Sequence, residues 1–335
     1  MRRSRLLPIA ATLLTSSLLV ACSSSPAPSA TDEAGQPTSV QHALGTTELP
    51  ANPERVATVA WSNEEVPLAL GVMPVGFAAA TWGVEDDSKM LPWTKERVEE
   101  LGGDPVLFDE TDGINFEQVA ATEPDLILGA YSGLTADEYN TLTEIAPTIA
   151  YSKGPWLTTW RDIITENSAA LGMGSEGEEL VDELESTIAD STAKYPQLKG
   201  KTAAFMKLDP SNLSKVNLYT TADPRAAYLV DLGLETPASV TESSDSDDFY
   251  FEVSAEQIDQ VADVDILVIY GDEELLETLQ DHPLLSKHPA IANGSVVLLG
   301  SDGPLAASAN PSPLSIPWGI DKYHELLAEA ADKVK

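Results

Sequence analysis

The side chains of this chain best able to do chemistry are four histidines, one cysteine, many carboxylates and a set of aromatics at the ends of apolar runs. His42, His282, His288 and His324 include no pair at ligand spacing on a predicted helix, and His282 and His288 each precede a proline, so a zinc site is not expected. A single cysteine, Cys22, allows neither an internal disulfide nor a thiolate metal cluster. Gly172-Met173-Gly174-Ser175-Glu176-Gly177 matches GxGxxG in form. It follows a helical pattern instead of a strand, and the neighbouring Glu178 and Glu179 would repel a pyrophosphate, so it reads as a turn between helices. Ser175 lacks the first glycine of a nucleophile elbow, because Met173 stands there. "SSDSDDF", with Asp245, Asp247 and Asp248, has carboxylates for calcium but neither the glycine nor the distal glutamate of an EF-hand, and reads as a solvated loop. With no nucleophile–base pair and no metal-ligand cluster, the expectation is a binder without covalent chemistry, cofactor or resident metal; the rival class is an exported enzyme using dispersed carboxylates.

The elements that must position the remaining candidates alternate regularly. "VATVAW" (Val56 to Trp61), "VMPVGF", "VLF", "DLILGA" and "APTIAY" read as strands, separated by helical "NEEVPLALG", "FEQVAAT" and "TADEYNTLTEI". That order is the α/β signature and predicts a parallel sheet. Between Leu157 and Leu198 the alternation stops for two amphipathic helical patterns. "TAAFMKL", "VNLYT", a helix near Arg225, "DILVIYG" and "SVVLLG" restart it, and a terminal helix is predicted over about Ile316 to Val334. The fold class is therefore α/β: two doubly wound lobes with parallel-type sheets joined by a long helix, over residues 46–156, 157–198 and 199–335. Ahead of them, Arg2, Arg3 and Arg5 precede an apolar stretch too short to span a membrane comfortably, which marks 1–21 as a secretory signal. The Ser/Pro/Ala-rich residues 22–45 read as a flexible tether.

Composition excludes some partners. The net charge is −35, and removing the signal arginines makes it more negative, so the chain cannot present the basic face that nucleic acid or an anionic lipid surface requires. A hydrophobic fraction of 43% supports a packed core whose self-repulsion keeps it dispersed.

"NFEQVAATEPDLILG" and "SAEQIDQVADVDILVIYG" run alike, from a capping residue through Glu-Gln to an apolar strand. Asn115 and Ser254 can cap their helices, and Gln118 and Gln257 can reach back to complete capping boxes. Glu117 and Glu256 are left free. Each suits the positive end of a helix dipole, which is a sufficient structural reason for a glutamate there; together they also suit a two-footed docking surface.

Here the chain resembles the binding lipoproteins of iron-siderophore and cobalamin importers, the two-lobed, helix-backed substrate-binding components of ABC transporters. The carriers are "PERVATVAW", "ALGVMPVG", "NFEQVAATEPDLIL", "DPRAAYLVDLGL" and "VSAEQIDQVADVDILVIY", in the family's order from about Gly45 onward. The resemblance implies a periplasmic-binding-protein-like fold with a helical backbone, and Glu117 and Glu256 meeting arginine pockets on a permease dimer. Likewise, Leu19-Val20-Ala21-Cys22 resembles the lipobox of bacterial lipoproteins, implying cleavage before Cys22, a lipid on its sulfur and anchorage to the outer face of the cell membrane. A monomer is the expected working unit.

Ligands of open α/β sheets sit beyond the carboxyl ends of strands, where Trp61, Trp82, Tyr131, Tyr151 and Trp156 fall in the first lobe and Tyr219, Arg225 and Tyr250 in the second. Arg225 matches an arginine that the resembled family uses for anionic siderophores; its plainer reading is a salt bridge at a helix start. The expected ligand is a ferric siderophore. One candidate arginine in so acidic a chain gives little focusing for a triply anionic catecholate complex, so the class stays open, with haem or cobalamin as alternatives in the same architecture.

Overall fold

Strand-forming runs of three or four residues, apolar on both sides, build a sheet covered by helices on both faces. The computed structural model describes residues 39–243 and 248–335; Cys22, Asp245 and Asp247 lie outside them. A hairpin comes first, β1 (Ser39–His42) with β2 (Gly45–Glu48), so residues 39–45 are ordered against the body and are not tether. His42 is buried there, bonded to Thr47 Oγ1 at 3.0 Å and set edge-on to Tyr139.

The first sheet is wholly parallel. Its strands are β3 (Val56–Thr58), β4 (Gly76–Ala78), β5 (Val106–Phe108), β6 (Leu126–Gly129) and β7 (Thr148–Ala150), in the order β5-β4-β3-β6-β7. The helices between them are α1 (Glu65–Ala69), α2 (Pro92–Leu101), α3 (Phe116–Ala121) and α4 (Ala136–Thr143). Strand order reverses between β3 and β6, which makes their carboxyl ends the topological switch point and the natural place for a site.

Two helices follow, α5 (Trp160–Ala170) and α6 (Gly174–Thr192). The GxGxxG stretch is the turn between them, as read: Gly172 has φ +75° and α6 opens at Gly174. Gly177 is required because a Cβ there would lie 1.9 Å from Ser168 Oγ on α5. Trp160 and Arg161 then tie α5 to the second lobe. Arg161 donates to Asp231 at 2.9 and 3.1 Å and to Glu185 of α6 at 2.7 Å, and Trp160 Nε1 donates to Asp231 at 2.9 Å.

The second sheet departs from the parallel expectation in one half. It comprises β8 (Ala203–Asp209), β9 (Asn212–Tyr219), β10 (Tyr250–Ser254), β11 (Ile266–Ile269) and β12 (Val296–Leu298), in the order β10-β9-β8-β11-β12. β8, β11 and β12 are parallel, whereas β9 is antiparallel to both β8 and β10. Only Pro210 and Ser211 separate β8 from β9, and so short a link can join antiparallel strands but not a crossover. Its helices are α7 (Pro224–Asp231), α8 (Ala238–Glu242), α9 (Glu273–Asp281), α10 (Pro289–Asn293) and α11 (Pro304–Ser308). α12 (Ser315–Ala331) closes the chain as predicted.

The lobes also meet away from α5 and α6. Glu65 of α1 is buried, accepting from Trp93 Nε1 at 2.8 Å, from Leu314 N at 3.1 Å and from Ser312 Oγ just before α12. Burial pushes its carboxyl up, and these donors oppose the shift. Among the described residues no helix is long and apolar enough to cross a membrane.

Candidate functional site

The turn after β3 presents Trp61 on a backbone that ordinary residues avoid. Ala60 and Ser62 on either side both have positive φ, 63° and 60°. Left-handed backbone at non-glycine residues costs roughly 1–2 kcal/mol each and persists only where the surroundings impose it. The imposing residue is Asn63, fully buried. Its Nδ2 donates to the carbonyls of Val59 (2.9 Å) and Tyr131 (2.8 Å), and its Oδ1 accepts from Tyr131 N (3.1 Å) and Asn167 Nδ2 (3.2 Å). Asn63 thereby locks the β3 turn, the β6 turn and α5 together at the switch point. Trp156 repeats the pattern with φ 62°; its N–H donates to Ser132 O at 2.9 Å, and its indole lies where a side chain on Gly133 would be, 2.5 Å from the position of a Cβ.

From Trp61 a row of rings crosses between the lobes. Trp61 meets Trp82 with centroids 6.1 Å apart, Trp82 meets Tyr270 edge-on at 5.5 Å, Tyr270 meets Phe205 at 5.0 Å and Phe205 meets Tyr219 at 5.8 Å. Tyr219 continues the row to Phe249 and Tyr250. Such tilted and edge-on pairs are the favoured geometries for ring quadrupoles. The first-lobe loop is also bonded across: Trp82 Nε1 donates to Ser301 O at 3.3 Å, and Gly83 N donates to Asp302 O at 3.1 Å. Beside this row stands a second pair, Tyr131 and Trp156, edge-on at 5.2 Å, with Tyr131 Oη accepting from Asn310 Nδ2 at 3.1 Å.

Arg225 lies over the Tyr219 ring, 4.3 Å from its centroid. The salt-bridge reading of this residue is also realised. Asp223, wholly buried, caps α7 by accepting from Arg225 N and grips the guanidinium through Nε at 2.9 Å and Nη2 at 2.5 Å. Burial works against the arginine's charge, but the bonds and charge of Asp223 outweigh it and raise its pKa. Burial likewise raises the phenols of Tyr219 and Tyr270, with Arg225 pulling the other way. The row is thus aromatic, and the arginine that lies over it is neutralised by Asp223.

Of the eight expected contacts, Trp61, Trp82, Tyr219, Arg225 and Tyr250 are joined in the row, and Tyr131 and Trp156 form the neighbouring pair. Tyr151 is not brought in. It packs in the first lobe's core with Ala57, Val59 and Leu134, its hydroxyl donating to Leu134 O at 3.0 Å. Phe205, Phe249, Tyr270, Asp223, Asn63 and Asn310 were not singled out from sequence. Tyr270 was legible, since it ends its apolar strand as Trp61 does, whereas Asn63 in "SNEEV" looks like an ordinary turn residue.

Glu117 and Glu256 are both exposed and stand outside the aromatic row, and their carboxylates have no hydrogen-bond or ion-pair partner among the described residues. The expected capping boxes do not form. Asn115 caps α3, accepting from Gln118 N at 3.1 Å, but Gln118 Oε1 turns instead to Asp109 N at 2.8 Å. Ser254 is still paired with Lys215 in β10, so the chain must turn at once. Residues Ala255–Val261 wind as a tight 3-10 helix broken at Gln257, capped only through Glu256 N at 3.2 Å. Segments of six and seven residues offer little dipole, so the dipole explanation of these two glutamates is weak.

Solved structures share the architecture. The crystal structure of Streptococcus pneumoniae TIGR4 PiaA in complex with ferrichrome matches with 46% identity and a TM-score of 0.86, over 89% of this chain and all of that one. Staphylococcus aureus SirA complexed with staphyloferrin B matches in fold at 21% identity, with a TM-score of 0.66 over 89% and 98% of the two chains. Among curated relatives, Bacillus subtilis (strain 168) YfiY, named "Probable siderophore-binding lipoprotein", is 28% identical over 76% of this chain and 74% of its own. Escherichia coli (strain K12) FecB, the Fe(3+) dicitrate-binding periplasmic protein, is 26% identical over 73% and 76%. The family model described as periplasmic binding protein matches residues 56–302, and the chain belongs to that family.

Proposed function

We propose that this protein captures a ferric siderophore of the trihydroxamate class between its two lobes and delivers it to an ABC permease, without chemistry of its own. The observation that carries the reading is the aromatic row contributed by both lobes, closed by an arginine that Asp223 neutralises. Three monoanionic hydroxamates neutralise Fe³⁺, leaving an uncharged, partly apolar complex suited to ring faces. A tricatecholate complex, triply anionic, would meet a protein of net charge −35 in which the arginine over the row is already paired with Asp223. The ferrichrome complex of PiaA, 46% identical, supports a siderophore cargo. In this reading Cys22 carries the lipid that holds the protein outside the membrane, and Glu117 and Glu256 dock it on the permease.

Trp61, Trp82 and Trp156 make the test direct, since each would report an adjacent ferric complex by quenching. Titration with ferric trihydroxamates, ferric tricatecholates, haem and cobalamin is expected to give saturable quenching with the first, at least about tenfold tighter than with any other. Tighter binding of haem, cobalamin or a tricatecholate would overturn the ligand class.

A further inference from the structure

Beside the Tyr131–Trp156 pair the first lobe has an open side pocket of about 280 Å³, built at the carboxyl ends of its parallel strands. Ala60 follows β3, Glu110 follows β5, Leu134 follows β6 and Trp156 follows β7, with Ile114 and Glu138 completing the wall. Glu110 Oε2 accepts from Ala60 N at 3.1 Å, in the same turn that presents Trp61. Its other oxygen, Oε1, is buried and receives no donor among the described residues. A buried acceptor left unpaired costs about 1–3 kcal/mol, so this carboxyl puts uncompensated negative charge into the wall of the pocket.

We propose that this cavity is a side pocket for the ammonium-bearing arm of the siderophore, so that the protein prefers ferric hydroxamates with a free primary amine. The inference rests on the siderophore reading above and adds to it a substrate preference. Ile114, Leu134 and the Trp156 face would take the methylenes of the arm, Trp156 being also the best ring for a cation, and the charge of Glu110 in the pocket wall would attract the ammonium. The volume equals roughly nine waters' share of liquid, enough for an alkylammonium chain. The titratable groups around it are all acidic. Glu138 of α4 lines the pocket, its Oε2 engaged by Thr135 N and Oγ1 at 2.8 Å each, and the charge of Glu110 in turn acts on buried Glu64 at the start of α1. Burial first, and then Glu138, raise the Glu110 carboxyl to about 7 against the bond from Ala60. A cation beside it would draw it back to the ionised form. A divalent metal is the poorer occupant, because among the described residues no third His, Cys, Asp or Glu joins these two as a ligand set.

The test uses two ferric linear trihydroxamates that differ only in a terminal primary amine being free or N-acetylated, titrated by tryptophan quenching at pH 7 and low salt. The free-amine complex is expected to bind about tenfold tighter than the acetylated one, and Glu110→Gln, whose side chain can still accept from Ala60 N, to bring that ratio to about one. Equal affinities in the unsubstituted protein, or a preference for the amine that survives E110Q, would overturn the side pocket while leaving the siderophore reading standing. Failure of both complexes to bind would overturn the two together.

Discussion

Asn63 belongs to neither the aromatic row nor the pair beside it, yet Trp61 and Tyr131 depend on it through their backbones. Its amide bonds the Val59 and Tyr131 carbonyls, the Tyr131 N–H and Asn167, all inside the core. Replacing it with alanine strips partners from three buried backbone groups and relaxes the left-handed turn at Ala60 and Ser62. Asn63→Ala is expected to cost about 3 kcal/mol in urea unfolding, since each unsatisfied buried group costs about 1–3 kcal/mol and partial repacking recovers some of it. It should also weaken ligand binding well beyond what the residual folded fraction explains, because Trp61 and Tyr131 lose their fixed placement. Unchanged affinity in the folded variant would show that the turn holds Trp61 without Asn63. At this scale the sequence was legible through one rule, that side chains just beyond strand ends face the crevice. The rule picks out Trp61, Trp82, Tyr131 and Trp156, which the structure gathers into the row and its neighbouring pair, and it would have picked out Tyr270; Tyr219 joins the row from β9, which runs antiparallel to β8 and to which the rule does not apply. It misplaced Tyr151, whose hydroxyl finds the Leu134 carbonyl inside the lobe, and it said nothing of Asp223, because neutralisation of Arg225 depends on how tightly one side chain folds back on its neighbour.

Among the elements, α5 and α6 carry the mechanical argument. Their close approach depends on Gly177, and Trp160 with Arg161 fastens α5 to Asp231 at the end of α7. In an isolated helix, alanine at Gly177 would gain about 1 kcal/mol from propensity. Here its Cβ would stand 1.9 Å from Ser168 Oγ and 2.5 Å from Ser168 Cβ, an overpacking that costs typically 1–3 kcal/mol. Gly177→Ala is therefore expected to destabilise. Joined with Ser168→Gly, which removes both clashing atoms, it should cost at least about 1 kcal/mol less than the two single changes added. Strict additivity in urea unfolding would mean that the helices do not bear on each other at this point. The two helices, their turn and the alternation of the first sheet could be read from periodicity and glycine placement. The antiparallel half of the second sheet is invisible to apolar periodicity, which is the same for either strand direction; its only sequence signal in "FMKLDPSNLSKVNLY" is the shortness of the Pro-Ser link. The repeat misled in the same way: Glu-Gln recurs at 117–118 and 256–257, but strand pairing at Ser254 tightens the second copy into a 3-10 helix.

At the scale of the whole molecule, the two glutamates acquire meaning together. A protein of net charge −35 repels acidic surfaces everywhere, so the docking on a permease proposed above would need specific anchors and not a general field. Glu117 lies in the first turn of the helix after β5 in one lobe and Glu256 in the helical turn after β10 in the other, both exposed and both with carboxylates that have no internal partner among the described residues. Structural reasons for them are thin, since neither completes a capping box and neither stands on a helix of appreciable length. Alanine at either position should therefore leave stability almost unchanged, and ligand affinity within about twofold, because neither belongs to the aromatic row. Delivery should fall instead. A carboxylate meeting arginine across an interface forms a charge-assisted pair, and truncating one partner typically costs about 2–5 kcal/mol because the other charge is left unpaired. Each single change is then expected to weaken uptake strongly, and Glu117→Ala with Glu256→Ala to abolish it, since the lobes would have lost both feet. The measurement is ligand titration of the purified variants alongside uptake of the ferric complex by cells carrying only those variants. Collapse of ligand binding with uptake tracking it would place these residues at the ligand, and full uptake by the double variant would show that the permease grips another part of the surface.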